Sequence, residues 1–192
     1  MGKSHIIPES FFLSEGSDDE TPFLATNIPG IFPKRRPIGE YDDKILCKEC
    51  EKLFGPWDNY AKVLLIDEVG QFQLVAEDKD YKGYSKEKYD YKKLKLFCLS
   101  VLWRASVSNR ACFERVSLGP HEKVIRDMIQ TGDPGSKDKY SVQLYRFHGA
   151  DYGMPVLMPN KMRTKYGFQY HRIYLGSNFF DIKTDKRKTP PD

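Results

Sequence analysis

Two short stretches in the first third of the chain hold the residue types that can carry out chemistry. His5 stands in the stretch Ser-His-Ile-Ile-Pro, and Cys47 and Cys50 stand three residues apart, followed directly by Glu51. An unperturbed imidazole is largely neutral at neutral pH and can accept a proton. Two thiols at Cys-x-x-Cys spacing, in a chain without a secretion signal, are typical of a metal site or a reduced thiol pair rather than of a disulfide framework.

Zinc is the metal that this thiol spacing suggests. A closed structural zinc site needs four nitrogen or sulfur ligands, and Cys47 and Cys50 supply two of them. The local spacing selects no further ligand, although the site could be completed in three dimensions by His5, His121, His148, His171 or Cys112. Without zinc, hydrogen bonds and the packing of Leu46, Leu53 and Phe54 would have to hold the turn.

The order of these motifs resembles that of the HNH endonuclease superfamily. Its members run from His-Ile-x-Pro through a loop to a Cys-x-x-Cys turn that leads into a helix, and the chain follows this order with a proline-rich connector. The similarity is closest to a bacterial group without an assigned activity, which has Ser-His-Ile-Ile-Pro followed by Leu-Cys-x-x-Cys-Glu. It continues in residues 94–108 and 118–122. The resemblance implies a treble-clef module in the N-terminal third.

The resemblance also implies a chemistry, the metal-dependent cleavage of DNA phosphodiester bonds. Such a nuclease needs a neutral imidazole to take a proton from water, a divalent cation such as Mg²⁺ or Mn²⁺ on the scissile phosphate, and ligands that hold the cation. His5 stands where the family has its general base. Glu51 stands near the helical position where the family uses Asn or His, and a carboxylate suits a hard cation. By the same resemblance, the setting would be bacterial or phage conflict.

Two departures from the family pattern support an alternative function. Ser4 occupies a position where the family often has an acidic or His ligand, and a hydroxyl is a poorer one. Relatives that bind structural zinc have a second Cys-x-x-Cys before the His motif, whereas only three residues precede Ser4 here. The alternative is a catalytically inactive binding or structural protein on an HNH-derived scaffold. Because the presence of His5 favours the nuclease, the sequence leaves both functions open.

Basic residues that could contact DNA occur in two places. Lys34, Arg35 and Arg36 form a short cluster that could follow a DNA backbone or lie in a solvated turn. Arg104 lies beside the apolar face of a predicted helix, where it could pair with a buried carboxylate or reach a phosphate. The formal net charge of +4, from 31 Lys and Arg against 27 Asp and Glu, permits a polyanionic partner without requiring one. A protein partner and a homo-oligomer stay open as well.

The hydrophobic pattern predicts an α+β fold that positions these residues. Residues 1–46 are rich in Pro and Gly and should be loop with short strands. Helices are predicted from 51 to about 66, where Gly55-Pro56 could kink or restart the helix, from 89 to 107, and from 119 to 129 with a stop at Gly132. Strands are predicted at 71–75, 141–147, 155–158, 166–175 and 179–182, the last four in an antiparallel sheet near the C-terminus.

The predicted domain boundary follows the first of these helices. Residues 1–66 form the module implied by the HNH resemblance, and residues 67–192 form a helical and β-sheet region that could be one compact body with it. No apolar run approaches the ~20 residues of a membrane span, and the first residues lack the apolar segment and cleavage site of a secretion signal. We therefore expect a cytoplasmic protein with no membrane partner.

Overall fold

The fold is α+β, as predicted. This computed structural model describes residues 4–13, 23–24, 29–30, 32, 34–35, 39–77, 82–86, 88–147 and 156–187. The helices are α1 (Ser10–Leu13), α2 (Lys48–Lys52), α3 (Gly55–Lys62), α4 (Tyr91–Val107) and α5 (Glu122–Thr131). The strands are β1 (Ser4–His5), β2 (Phe23–Leu24), β3 (Lys34–Arg35), β4 (Tyr41–Asp42), β5 (Gln73–Glu77), β6 (Lys82–Ser85), β7 (Val142–Arg146), β8 (Leu157–Arg163), β9 (Gln169–Leu175) and β10 (Asn178–Lys183).

The C-terminal third forms the antiparallel sheet that the sequence predicts. Its four strands pair in the order β7-β10-β9-β8, with Phe180 opposite Leu144 in β7 and Ile173 in β9. Side chains alternate between the two faces of a strand, so that Ile173, Phe180 and Ile182 are buried on the inner face. Helix α4 packs against this face, where the rings of Phe97 and Phe180 lie 6.3 Å apart.

Strand β8 extends to Arg163, beyond the predicted end at Met158, and Pro159 lies inside it. Proline has no backbone N–H group to donate to a neighbouring strand. It is tolerated here because β8 is the last strand in the order of the sheet, and an edge strand can accommodate a residue that does not donate. Pro155, the predicted first residue of this strand, lies outside the described residues.

Helix α4 is the core helix, as its apolar pattern predicts. Asp90 caps it by accepting a hydrogen bond from a backbone amide of the first turn at 3.0 Å, and every residue from Leu94 to Ala105 is buried. Among them is Lys95, whose ammonium group donates to the carbonyls of Ser136 and Lys139 at 2.7 and 2.6 Å. Burial lowers the pKa of Lys95 to about 8.

The first predicted helix is divided into pieces. α2 begins after Cys47, and α3 begins at Gly55 with Pro56 in its first turn. Proline fits there because the amides of a first turn need no partner within the helix. The chain then continues in a π-helical turn over Val63–Asp67. The restart that the sequence allowed at Gly55-Pro56 is therefore confirmed.

Helix α5 begins later than predicted. Gly119–His121 forms a 3₁₀ turn, and the α-helix follows from Glu122. The helix ends at Gly132, whose φ of 62° is left-handed, the conformation that favours glycine after a helix. The predicted stop at Gly132 is therefore confirmed, whereas the first turn differs in type and the helix continues to Thr131, beyond the predicted Ile129.

The start of the described chain is fixed by a strand pairing. In β1 and β4, Ser4 lies opposite Asp42, and His5 lies opposite Tyr41. Ile6, the next residue along the chain, is fully buried. This pairing places β1 beside the segment that leads into the Cys-x-x-Cys turn.

One cluster of buried apolar side chains joins the N-terminal part to the rest of the chain. Phe11 in α1 stacks on Phe97 in α4, with 5.6 Å between ring centroids, and Phe97 in turn contacts Phe180. The two predicted regions therefore share a core, and the boundary between them stays a prediction. Within the described ranges, no helix has both the length and the apolar character that crossing a membrane requires.

Candidate functional site

His5 is held between the β1–β4 pair and helix α4. Its backbone carbonyl accepts a hydrogen bond from Arg104 Nη1 at 2.7 Å, and its ring lies 6.2 Å from the Tyr41 ring in an edge-on arrangement. The strand pairing and the arginine together fix the backbone at His5. Its Nε2 atom is enclosed and has no hydrogen-bond partner among the described residues. Proton exchange with solvent would therefore pass through Nδ1, the other ring nitrogen.

Arg104 connects His5 to helix α3. Its side chain is 2% exposed, and its Nη2 and Nη1 atoms donate to the two carboxylate oxygens of Asp58 at 2.9 and 3.1 Å. Its Nε and Nη2 atoms also donate to the carbonyl and the hydroxyl of Ser100 at 3.3 and 3.2 Å. With the His5 carbonyl, these acceptors match the five N–H groups of a guanidinium. The structure thus shows the pairing with a buried carboxylate, and this arrangement leaves Arg104 no N–H group for a phosphate.

Asp58 is the acidic residue of this site, and the sequence motifs did not reveal it. It lies in the first turn of α3, and its side chain is 21% exposed. Burial raises the pKa of Asp58, whereas the charge and hydrogen bonds of Arg104 and the charge of His5 oppose that rise. Arg104 thus joins the Asp58 carboxylate to the backbone of His5. An acidic residue in a first helical turn was the available signal, but favourable interaction with the helix dipole explains it equally well.

A second carboxylate, that of Asp42, ties β4 to the end of helix α4. It accepts hydrogen bonds from the amides of Lys44 and Asn109 at 2.9 and 3.1 Å and from the Ser108 hydroxyl at 3.0 Å. Burial by itself would raise the pKa of Asp42, but these hydrogen bonds and the charge of Arg110 lower it below its ordinary value. Asp42 is therefore engaged in holding the strand that pairs with His5.

Cys47 and Cys50 form a thiol pair on the surface. The Sγ atoms of Cys47 and Cys50 lie at hydrogen-bond distance, 3.0 Å, and the Cys47 Sγ also accepts a hydrogen bond from the Cys50 amide at 3.2 Å. The hydrogen bond between the two side chains lowers the pKa of Cys47 and raises the pKa of Cys50. Both side chains are exposed. Cys47 is therefore the more readily ionised thiol of the pair and the better nucleophile.

Among the residues that the structure describes, the predicted zinc ligands meet only as this pair. Within the described ranges, no three His, Cys, Asp or Glu side chains converge as a metal site would require. His5 and Glu51 therefore do not join the two thiols in such a group; Glu51 is half-buried in α2. His148, another candidate ligand, lies outside the described residues. Zinc binding stays a prediction.

A hard divalent cation needs fewer protein ligands than a structural zinc ion does. Mg²⁺ is commonly held by one or two carboxylates, with water and substrate phosphate oxygens completing its shell. Asp58, beside His5, is a carboxylate of the right chemical type. Each of its oxygens binds Arg104, and a carboxylate oxygen has a second lone pair for another partner. Asp58 is therefore of the donor type that Mg²⁺ or Mn²⁺ takes, and the binding of either cation stays a prediction.

The predicted basic cluster falls largely outside the part of the chain that the structure describes. Lys34 and Arg35 form β3, which pairs with Phe23 and Leu24 of β2. The side chains of Lys34 and Arg35, and the whole of Arg36, are outside the described part. Contact between this cluster and DNA stays a prediction.

No protein-family model, no curated protein and no solved structure matches the chain. The HNH resemblance therefore depends on the motifs around His5 and around Cys47 and Cys50. Of the predicted site residues, the structure brings His5 and Arg104 together and adds Asp58 to them. It pairs Cys47 with Cys50 separately.

Proposed function

We propose that the chain is an HNH-like, metal-dependent nuclease that cleaves DNA phosphodiester bonds, with His5 as the general base. The observation that carries this proposal is the series of hydrogen bonds from the His5 carbonyl through Arg104 to the Asp58 carboxylate. It fixes the backbone of His5 and links it to an acidic residue in α3, the second helix after the Cys-x-x-Cys turn. A cytoplasmic location and a role in bacterial or phage conflict belong to the same proposal.

His5 would take a proton from the attacking water through Nδ1. A fixed backbone matters because a base acts only within hydrogen-bond reach, about 2.6–3.2 Å, of the proton that it removes. Arg104 and Asp58 are positioning residues, since they hold the His5 backbone and set the charge near its ring. A divalent cation, when bound, would neutralise charge that develops on the phosphate. Glu51 is the ligand predicted from the sequence, and Asp58 is the carboxylate that lies beside His5.

One observation favours a second candidate function, a catalytically inactive binding protein on an HNH-derived scaffold. Both carboxylate oxygens of Asp58 bind Arg104, and Ser4 is 1% exposed. A cation would have to share Asp58 with the arginine, and Ser4 would have to open to solvent before it could act as a ligand. A binding protein requires neither change.

Plasmid nicking distinguishes these two functions. The chain is incubated with supercoiled plasmid and Mg²⁺ or Mn²⁺, with EDTA as the blank, beside His5→Ala, Asp58→Asn and the matched control His121→Ala. We expect His5→Ala to lower nicking about 10²–10⁴-fold, the contribution of a positioned base. The control should nick normally, because His121 bonds to Tyr140 in another part of the chain. Equal nicking by His5→Ala and the unaltered chain, or none by either, overturns the proposal.

A further inference from the structure

Cys47 and Cys50 form a thiol pair whose chemistry the proposed nuclease reaction does not use. Their sulfur atoms lie 3.0 Å apart, and both residues are free cysteines. A disulfide bond is about 2.05 Å long, so an approach of about 1 Å brings the two atoms to bonding distance. Both side chains are exposed, and a solute in water can therefore reach them.

The backbone at the start of α2 holds this geometry. Cys47 is the N-cap residue of α2, and its Sγ atom accepts a hydrogen bond from the Cys50 amide at 3.2 Å. An N-cap side chain commonly accepts from the third residue of the helix in this way. The amides of Glu51 and Leu53 complete the turn by donating to the carbonyls of Cys47 and Cys50 at 3.1 and 3.2 Å. The turn itself therefore brings the two sulfur atoms together.

The two thiols differ in how readily they ionise. The hydrogen bonds with the Cys50 side chain and amide lower the pKa of Cys47, whereas the hydrogen bond with the Cys47 side chain raises the pKa of Cys50. Since the thiolate is the nucleophile towards a disulfide, Cys47 is suited to attack and Cys50 to a second, slower step. Cys98 is unlike both, because it is 1% exposed and burial raises its pKa well above the ordinary value.

We propose that Cys47 and Cys50 are a redox-active pair that exchanges with low-molecular-weight disulfides of the glutathione disulfide type. The Cys47 thiolate attacks one sulfur atom of the small disulfide, whose S–S bond breaks as a mixed disulfide forms and the first small thiolate leaves. Cys50 then gives its proton to the solvent, attacks the Cys47 sulfur and displaces the second small thiolate. The pair loses two electrons and two protons, and the small disulfide is reduced to two thiols.

This exchange goes beyond the proposed nuclease and does not depend on it, because it requires neither His5 nor a divalent cation. A structural zinc ion is the competing use of the same sulfur atoms, since zinc binds thiolates and an oxidised pair has none. Such an ion needs four ligands. In the described part of the chain, no third His, Cys, Asp or Glu side chain joins the pair in a metal-binding group. The geometry of the pair therefore favours exchange.

Peptide mass spectrometry after treatment with glutathione disulfide tests the proposal. The chain is freed of metal with EDTA, incubated with excess glutathione disulfide and quenched with acid, beside Cys47→Ser, Cys50→Ser and the matched control Cys112→Ser. We expect the unaltered chain and the control to join Cys47 to Cys50 and to keep no glutathione at either residue. Cys50→Ser should keep glutathione on Cys47, because the thiol that displaces it is gone. In Cys47→Ser, Cys50 should react at least about threefold more slowly than Cys47 does in Cys50→Ser.

A stable glutathione adduct on the unaltered chain, or no reaction at either thiol, overturns the proposal. A disulfide that joins two copies of the chain, seen on a non-reducing gel, does so as well. Zinc analysis before the EDTA step covers the metal alternative. One equivalent of zinc that is lost in Cys47→Ser and that blocks exchange in the unaltered chain also overturns the proposal. Plasmid nicking is measured separately on the reduced chain, so a failure of the nuclease and a failure of the exchange are distinguishable.

Discussion

Two arginine–aspartate pairs in this chain show how burial changes what an ion pair can do. The side chains of Arg104 and Asp58 are 2% and 21% exposed, and those of Arg172 and Asp181 are 22% and 12% exposed. Both arginines bind both oxygens of their partner. The first guanidinium is enclosed and fully bonded, so it can only fix the geometry around His5. The second lies 4.5 Å from the centroid of the Phe179 ring, and more of its side chain is exposed.

Removing the enclosed arginine should have the largest effect on stability. We expect Arg104→Met to lower the free energy of unfolding by about 3–5 kcal/mol, because it leaves the Asp58 carboxylate buried without its partner. Urea unfolding at neutral pH measures the loss. Adding Asp58→Leu to this variant should recover part of it, since the uncompensated charge is then gone.

Arg172→Met is the matched substitution in the second pair. We expect it to cost about 1–2 kcal/mol, less than Arg104→Met, because removing Arg104 also leaves the His5 and Ser100 carbonyls without their donor. A loss as large as that of Arg104→Met would show that these additional hydrogen bonds and the burial of the arginine do not set the difference.

His171, a buried histidine on the inner face of the sheet, gives a pH-dependent test of how burial affects a charged group. Burial, with the charges of Lys161 and His121, lowers the pKa of His171 to about 4 from its ordinary value of 6.5. Below pH 6.5 the unfolded chain therefore binds a proton that the folded chain does not. Stability should fall as the pH drops from 6.5 towards 4, by up to about 3 kcal/mol.

Urea unfolding at several pH values between 4 and 7 checks this prediction. In His171→Gln the slope of the unfolding free energy against pH should decrease over this window, by the amount that corresponds to about one bound proton. The amide can keep a hydrogen bond to Thr184, which His171 Nδ1 contacts at 2.9 Å. An unchanged slope would mean that other groups cause the pH dependence.

The smallest effect concerns the exposed thiols. Because the hydrogen bond between the two side chains lowers the pKa of Cys47, iodoacetamide near pH 8 should modify Cys47 before Cys50. Cys50→Ser should slow modification of Cys47 by several-fold, because it removes the thiol whose hydrogen bond lowers the pKa of Cys47. Peptide mass spectrometry over time reports both rates. Earlier labelling of Cys50 would contradict the lowered pKa of Cys47.

Much of the fold could be predicted because its elements depend on local patterns. The apolar run in α4 follows the helical period of 3.6 residues, and the alternation along β9 follows the strand period of 2. Gly132 ends α5 through one backbone angle. Helix and strand boundaries also depend on tertiary contacts. Pro159 lies inside β8 only because that strand is at the edge of the sheet.

The candidate site could be predicted only in part. His5 and the two thiols were visible as motifs, because their residue types and short spacings are rare enough to notice. Asp58 was not, since nothing local distinguishes it from any acidic residue in a first helical turn. For Arg104 the sequence offered two partners, and the packing of α3 against α4 decided in favour of the carboxylate.

The sequence by itself determined the α+β class, the core helix, the strands of the sheet and the residues with catalytic potential, because these follow from local periodicity and residue type. Only the tertiary structure decided which side chains meet. His5, Asp58 and Arg104 are far apart along the chain and come together when β1, α3 and α4 pack around one core. The exposed face of the sheet was likewise fixed by the position of α4, since the helix covers one face and leaves the Phe179 ring on the other.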